Sequence, residues 1–254
     1  MISKDSIPVF QNPQLDGKTK FLEGKKDAGL LLIHGFTATT VEVSWLASYF
    51  HQMGYSVATP LLPGHGTSPE DLNKTRYQDW IITVEESYQK LTKSCQKVIV
   101  GGESMGAVLS LYLAAIHDEI AALLLYSPAL KVDQLGYSRF LRFFKSVLPK
   151  KNYDDGMPWQ GYTVYPLNAA FEFYKLQRMT QSKISKVKSP TIIFHGAHDQ
   201  TIDKDVSEFI YHAIASPVKK ILKLNNSGHV MLLDKEIELI VEETWKFLQS
   251  NKIF

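Results

Sequence analysis

The chain of 254 residues has a single cysteine, Cys95, so it cannot close an internal disulfide, which fits a reducing compartment. No reactive signature surrounds Cys95, which reads as structural at the expected end of a helix. No charge of one sign dominates: 28 lysines and arginines against 26 aspartates and glutamates leave a formal charge of +2. That near balance provides no footprint for nucleic acid or an acidic partner. No apolar run reaches the roughly 18 residues of a membrane span. The stretch Met1–Pro8 lacks a cationic start followed by an apolar core, so no signal peptide is expected. These absences point to a soluble cytoplasmic protein. Gly-x-Gly-x-x-Gly and the phosphate-loop pattern are also missing, and no two histidines stand at zinc-ligand spacing beside a carboxylate. Neither a cofactor nor a metal is expected.

What is present is a hydrophobic content of 44%, enough for a real core. Short apolar runs alternate with helical periodicity, the mark of a mostly parallel sheet flanked by helices. Gly29–Ile33 is continuously apolar, as a strand buried on both faces should be. Further strands are expected at Tyr55–Thr59, Lys97–Val100, Ala121–Tyr126, Thr191–His195 and Lys219–Leu224. Val43, Leu46, Ala47 and Phe50 keep helical spacing, as do Tyr77, Trp80, Ile81, Val84, Tyr88 and Leu91. Helices are also expected over Asp205–Ala215 and Lys235–Gln249.

The alternation breaks from about Lys131 to Lys188, which is rich in aromatic and basic residues. Tyr137, Phe140, Leu141, Phe144 and Leu148 keep helical spacing, and so do Leu167, Ala170, Phe171 and Tyr174. The reading is a core domain made of residues 1–130 and 189–254, interrupted by a small helical cap, or lid, at 131–188. Such a lid would lie over the carboxyl ends of the strands, the edge at which ligands bind open α/β sheets.

The most informative run is Val-Ile-Val-Gly-Gly-Glu-Ser-Met-Gly-Ala-Val-Leu at 98–109. An apolar strand expected to stop at Gly101 gives way to Gly102-Glu103-Ser104-Met105-Gly106, and a helical pattern begins at once. This Gly-x-Ser-x-Gly order of strand, sharp turn and helix presents a serine Oγ at the top of an α/β-hydrolase sheet. Composition supplies such a pentapeptide in about one chain in fifteen of this length, so the motif needs partners. A serine hydroxyl requires a base, and the base an orienting acid. In this fold the chain order is serine, acid, histidine. Asp199 follows the strand Thr191–His195, and His229 follows the strand Lys219–Leu224, each at the same sheet edge. Oxyanion donors are expected from the amide of Met105, after the nucleophile, and of Phe36, in the loop His34–Thr39.

Rival residues exist for each role. Asp203 and Asp205 share the loop of Asp199, with Asp205 resembling a helix N-cap. His34 reads as an orienting residue of the oxyanion loop, His195 as a satisfied core histidine, and His198 precedes the acid in the chain. His65, between Gly64 and Gly66, reads as part of a tight turn. Glu103 could pair with a neighbour beneath the site or touch substrate. Arg139, Arg142 and Lys145, with Lys150 and Lys151 beyond, are compatible with a membrane-surface helix or with a solvated cationic face over an apolar acyl pocket.

The segments His34-Gly35-Phe36-Thr37, Pro63-Gly64-His65-Gly66, Gly102–Gly106, His198-Asp199 and Ser216–Lys219 running to Ser227-Gly228-His229 resemble the small bacterial carboxylesterases and monoacylglycerol lipases of the α/β-hydrolase superfamily. The resemblance spans nearly the whole chain outside the lid. It implies Ser104, Asp199 and His229 as a catalytic triad and Phe36 and Met105 as oxyanion donors. The expected substrate is a small-molecule ester with an apolar acyl chain. A feruloyl-type esterase, thioesterase or peptidase of the same fold is the enzyme alternative, and a non-catalytic ligand-binding protein on this scaffold is the other.

Overall fold

The computed structural model describes residues 9–150 and 156–254. Residues 1–8 and Lys151, both used in the sequence reading, lie outside the described residues. In chain order, β1 (Phe10–Gln11) and β2 (Lys20–Leu22) lead to β3 (Ala28–Ile33), α1 (Val41–Gln52) and β4 (Ser56–Thr59). Then α2 (Pro69–Leu72) and α3 (Tyr77–Thr92) precede β5 (Lys97–Glu103), α4 (Met105–Ala114) and β6 (Ala122–Tyr126). After them come α5 (Ser138–Leu141), β7 (Val147–Pro149), β8 (Gly161–Tyr162), β9 (Val164–Pro166) and α6 (Leu167–Lys183). The chain closes with β10 (Thr191–Gly196), α7 (Val206–Ala213), β11 (Lys219–Leu224) and α8 (Ile237–Ser250).

Seven strands form one sheet in the order β11-β10-β6-β5-β3-β4-β2, parallel except for β2, which pairs antiparallel with β4. Burial on both faces explains the continuous apolar runs, because successive side chains point to opposite sides. Leu30 and Leu32 of β3 pack with α1 and α8 through Val43, Phe50 and Ile240. Leu31 and Ile33 pack on the other face with α3 and α4 through Trp80, Val84 and Val108. The chain fills the sheet from β3 outward, β4 to one side and β5 to the other. Strand order therefore reverses between β3 and β5, and the loops after these strands border the crevice created there. Those loops hold Phe36 and Ser104.

Two sequence expectations need correction. The strand expected to stop at Gly101 runs on to Glu103, paired through Gly102 with Leu125 and through Glu103 with Tyr126. The helical spacing of Tyr137 to Leu148 produces only a 3₁₀ turn, Leu135–Tyr137, and the four-residue α5. Leu148 lies in β7 instead, because it precedes Pro149, whose ring disfavours the helical region for the residue before it. Segment 131–188 thus combines one long helix, α6, with short strands: β7 and β9 pair antiparallel with each other, and β8 pairs antiparallel with β1 from the start of the chain.

This segment packs on loops at the carboxyl edge of the sheet. Tyr162 N–H donates to the Thr37 carbonyl at 2.9 Å and Tyr162 O–H to the Gly64 carbonyl at 2.8 Å. From α6, the side-chain amides of Gln177 and Gln181 donate to the Ala129 and Leu130 carbonyls. No helix among the described residues is long and apolar enough to cross a membrane.

Candidate active site

Ser104 occupies the turn between β5 and α4 with φ 56° and ψ −113°, a conformation that non-glycine residues seldom adopt. The turn is held on both sides: Ser104 N–H donates to the Tyr126 carbonyl at 2.9 Å and Ala129 N–H to the Ser104 carbonyl at 3.2 Å. The flanking glycines are a matter of space. A Cβ on Gly102 would stand 2.6 Å from the Ile33 carbonyl oxygen, and one on Gly106 would overlap that same oxygen. Backbone cannot yield as a side-chain tip can. Gly106→Ala is therefore expected to cost about 3 kcal/mol or more, lowering Tm by about 6–12 °C in a chain of this size; an unchanged melting curve in scanning calorimetry contradicts this packing.

Although Ser104 stands at the N-cap of α4, its hydroxyl does not cap the helix. It lies 2.9 Å from His229 Nε2, and His229 Nδ1 lies 2.7 Å from Asp199 Oδ2. A carboxylate only accepts, so Nδ1 carries a proton and donates it to Asp199. That tautomer leaves Nε2 to accept from the Ser104 hydroxyl. The Asp199 side chain is fully buried. Burial pushes its carboxyl up, but the His229 imidazole and the amides of Thr201 and Ile202 outweigh it and hold the carboxyl below its ordinary value. Thr201 N–H and Ile202 N–H donate to Oδ1 at 2.8 and 3.3 Å, so both carboxylate oxygens are engaged.

The loop bearing His229 is tied down from several directions. Gly228 N–H donates to Asp234 Oδ2 at 2.8 Å, Asn226 N–H to Glu236 Oε2 at 2.9 Å, and Leu232 N–H to Glu103 Oε1 at 3.0 Å. Glu103 therefore pairs with a backbone amide beneath the site. On the opposite side, Met105 begins α4, where an N–H has no carbonyl one turn earlier. Phe36 follows Gly35, whose N–H donates to Glu42 Oε2 at 2.7 Å. Sequence reasoning passed over Glu42. Its signal was an acid in the first turn of a helix directly after the oxyanion loop, flanked by Val41 and Val43.

The rival residues do other things. Asp203 Oδ1 accepts from Asp205 N–H at 2.8 Å, and Asp205 sits at the α7 N-cap position without a side-chain cap bond. His195 Nδ1 pairs with Ser207 Oγ at 2.8 Å within the core. His34 is fully buried and accepts the Leu62 N–H on Nε2 at 3.1 Å, which ties the loop after β3 to the loop after β4. Burial pushes its imidazole down to about 4, so it is neutral near pH 7. His65 lies in a turn whose left-handed positions are Gly64 and Gly66.

The aromatic residues of segment 131–188 divide between solvent and the site. Phe140, Phe143 and Phe144 are 58%, 72% and 84% exposed and face outward beside Arg139 and Lys145. The apolar wall next to the site comes instead from Phe36, whose ring meets Phe173 of α6 at 5.5 Å and Trp80 at 6.3 Å.

The Hydrolase_4 family model, described as serine aminopeptidase S33, matches residues 24–160. A thermostable monoacylglycerol lipase of Bacillus sp. strain H-257 is 33% identical over 247 residues, covering 95% of this chain and 98% of the relative. A carboxylesterase of Bacillus subtilis strain 168 is 27% identical and covers 88% and 93%. Among solved structures, one from work on the metagenome-derived lipolytic enzymes LipS and LipT superimposes with a TM-score of 0.88 at 29% identity, covering 92% of this chain and 98% of the other. A strand–turn–helix serine, a doubly wound sheet and matches of this extent agree, and the chain belongs to the serine aminopeptidase S33 family of the α/β-hydrolase fold.

Proposed function

We propose that the protein is a serine hydrolase that cleaves carboxylic esters of short to medium acyl chains, monoacylglycerols among them, through an acyl-enzyme. The observation that carries this reading is the continuous chain from Ser104 Oγ through His229 to Asp199, at 2.9 and 2.7 Å. Ser104 Oγ attacks the ester carbonyl carbon while its proton passes to His229 Nε2. Asp199 fixes the imidazole tautomer and stabilises the imidazolium. The negative oxygen of the tetrahedral intermediate is received by the amides of Phe36 and Met105, aided by the positive end of α4. The carbon–oxygen bond to the alcohol then breaks, and the alcohol leaves with the proton from Nε2. Water gives a proton to His229 Nε2 and attacks the acyl carbon, the bond to Ser104 Oγ breaks, and His229 returns the proton to Oγ as the acid leaves.

Segment 131–188 acts as the cap. Its contacts with Thr37, Gly64, Ala129 and Leu130 support this reading, and Phe173 adds an apolar surface beside Phe36. An apolar wall suits an acyl chain, and the curated lipase and carboxylesterase relatives favour an ester over an amide.

A fluorophosphonate probe followed by mass spectrometry tests the nucleophile. Ser104 is expected to be labelled at neutral pH, and an unlabelled Ser104 in folded protein overturns the hydrolase reading. A series of p-nitrophenyl esters, run beside monoacylglycerols, feruloyl esters and aminoacyl p-nitroanilides, tests the substrate class. Turnover is expected to be best with short to medium acyl esters. A preference for feruloyl esters or for the anilides replaces that class with the feruloyl-type or peptidase alternative.

A further inference from the structure

Two carboxyl groups lie beneath the site, and the proposed chemistry uses neither. Glu42 is 6% exposed and holds the Gly35 N–H through Oε2 at 2.7 Å. Glu103, directly before Ser104, is 1% exposed and holds the Leu232 N–H through Oε1 at 3.0 Å. Its Oε2 is buried with no hydrogen-bond partner among the described residues. A Cβ built on Gly35 would stand 3.0 Å from Glu42 Oε2 and 3.2 Å from Ser104 Cβ, so acid and serine flank the same residue. One acid thus grips the loop that carries Phe36. The other grips the turn just after His229 and is joined by the chain itself to Ser104.

We infer that Glu42 and Glu103 are positioning residues for the reaction at Ser104: Glu42 sets the direction of the Phe36 amide through Gly35, and Glu103 sets the reach of His229 through Leu232. The inference rests on the hydrolase reading above. A buried carboxyl is costly unless hydrogen-bonded or neutral, and here each has one strong backbone donor. Burial pushes both groups above the ordinary carboxylate range. The charge of Glu42 pushes Glu103 up further, Asp199 adds to it, and the Leu232 and Met231 amides oppose it. Glu42 also faces His229 and Lys150, which favour its ionised form, and Glu103 faces the buried Tyr126 hydroxyl. Burial and the neighbouring charge therefore favour the protonated form of Glu103, while the Gly35 amide, His229 and Lys150 favour the ionised form of Glu42 against its burial.

Loss of that proton at higher pH puts a second charge beside Glu42 and Asp199 and loosens the His229 turn. The sign for stability follows from linkage. A carboxyl whose folded value is raised binds its proton more tightly in the native state, so its stabilisation is present at low pH. That stabilisation is lost as pH climbs from the ordinary 4.5 through the raised folded value.

Four variants test this, with kcat normalised to serine titrated by the fluorophosphonate. E103Q keeps the acceptor and cannot titrate; E103D keeps the carboxyl and loses the reach; E42Q keeps the acceptor for Gly35 and E42A removes it. E103D and E42A are expected to lower kcat about 10- to 100-fold with KM little changed, the cost of a small misalignment, and E103Q and E42Q to restore most of it. As pH rises, the wild type is expected to lose kcat on an alkaline limb that E103Q lacks. Wild-type kcat per titrated serine in E103D and E42A, or a wild-type alkaline limb in E103Q, overturns the inference. Failure of wild-type protein to label at Ser104 removes the hydrolase reading instead.

Discussion

Ser104→Ala is expected to lower ester turnover about 10⁶-fold while leaving the fold intact. Alanine carries a Cβ like serine, so the strained backbone at φ 56° is no worse occupied than before. The backbone bonds that pin the turn, from Ser104 N–H to Tyr126 and from Ala129 N–H to the Ser104 carbonyl, do not involve the hydroxyl. What disappears is the atom proposed to form the acyl-enzyme, and removing the nucleophile of a serine hydrolase elsewhere costs about 2 × 10⁶ in kcat. A residual rate of about 10³–10⁴ over water is expected to survive from the oxyanion amides and substrate binding. Burst kinetics with a p-nitrophenyl ester should vanish, and Tm by scanning calorimetry should match wild type. A loss smaller than about a hundredfold with homogeneous protein contradicts the role assigned to Ser104.

Asp199→Asn is expected to lower kcat about 10⁴-fold, in line with the effect of the same change at another serine triad. The structure supplies the reason it should hold here. The Thr201 and Ile202 amides both donate to Oδ1. An asparagine can satisfy them only by turning its own oxygen toward them, which points its NH₂ group at His229 Nδ1. The imidazole must then accept at Nδ1 and carry its proton on Nε2, where it cannot take the proton of Ser104. The reverse amide orientation keeps the right tautomer but sets the NH₂ against the two amide donors of Thr201 and Ile202. Because the wild-type carboxyl sits below its ordinary 3.8, its contribution to stability is present above that value and is lost as pH falls through the lowered folded one. The acid side of the activity profile therefore should not be set by Asp199 near neutrality. Steady-state kinetics and an NMR signal for the His229 ring proton test both statements, and a loss under tenfold contradicts the tautomer argument.

The parts of the fold legible in the sequence are those whose cause is local. Leu30 to Ile33 read as a buried strand because each face of the sheet has its own core, and the alternation of Leu30 and Leu32 with Leu31 and Ile33 matches that division. Lys219–Leu224 kept its expected boundaries. The edge strand β2 and the pairs β1–β8 and β7–β9 left no comparable signal, since strands of only two or three residues are too short to show an apolar run. Spacing from Tyr137 to Leu148 looked helical because aromatic residues recur there, yet most of them face solvent and Pro149 extends the chain before it.

The chain by itself settles the order of the central parallel strands and the helices between them, the strand–turn–helix around Ser104 with glycines where backbones nearly touch, and the loops that border the sheet edge. Each of these is written by residues close together in sequence. Tertiary structure decides that Asp199, not Asp203 or Asp205, receives an imidazole proton, that His229 reaches Ser104 across 125 positions, and that Glu103 holds Leu232 across 129. Buried polar groups must find partners wherever the fold brings them, and no local pattern records a partner that distant.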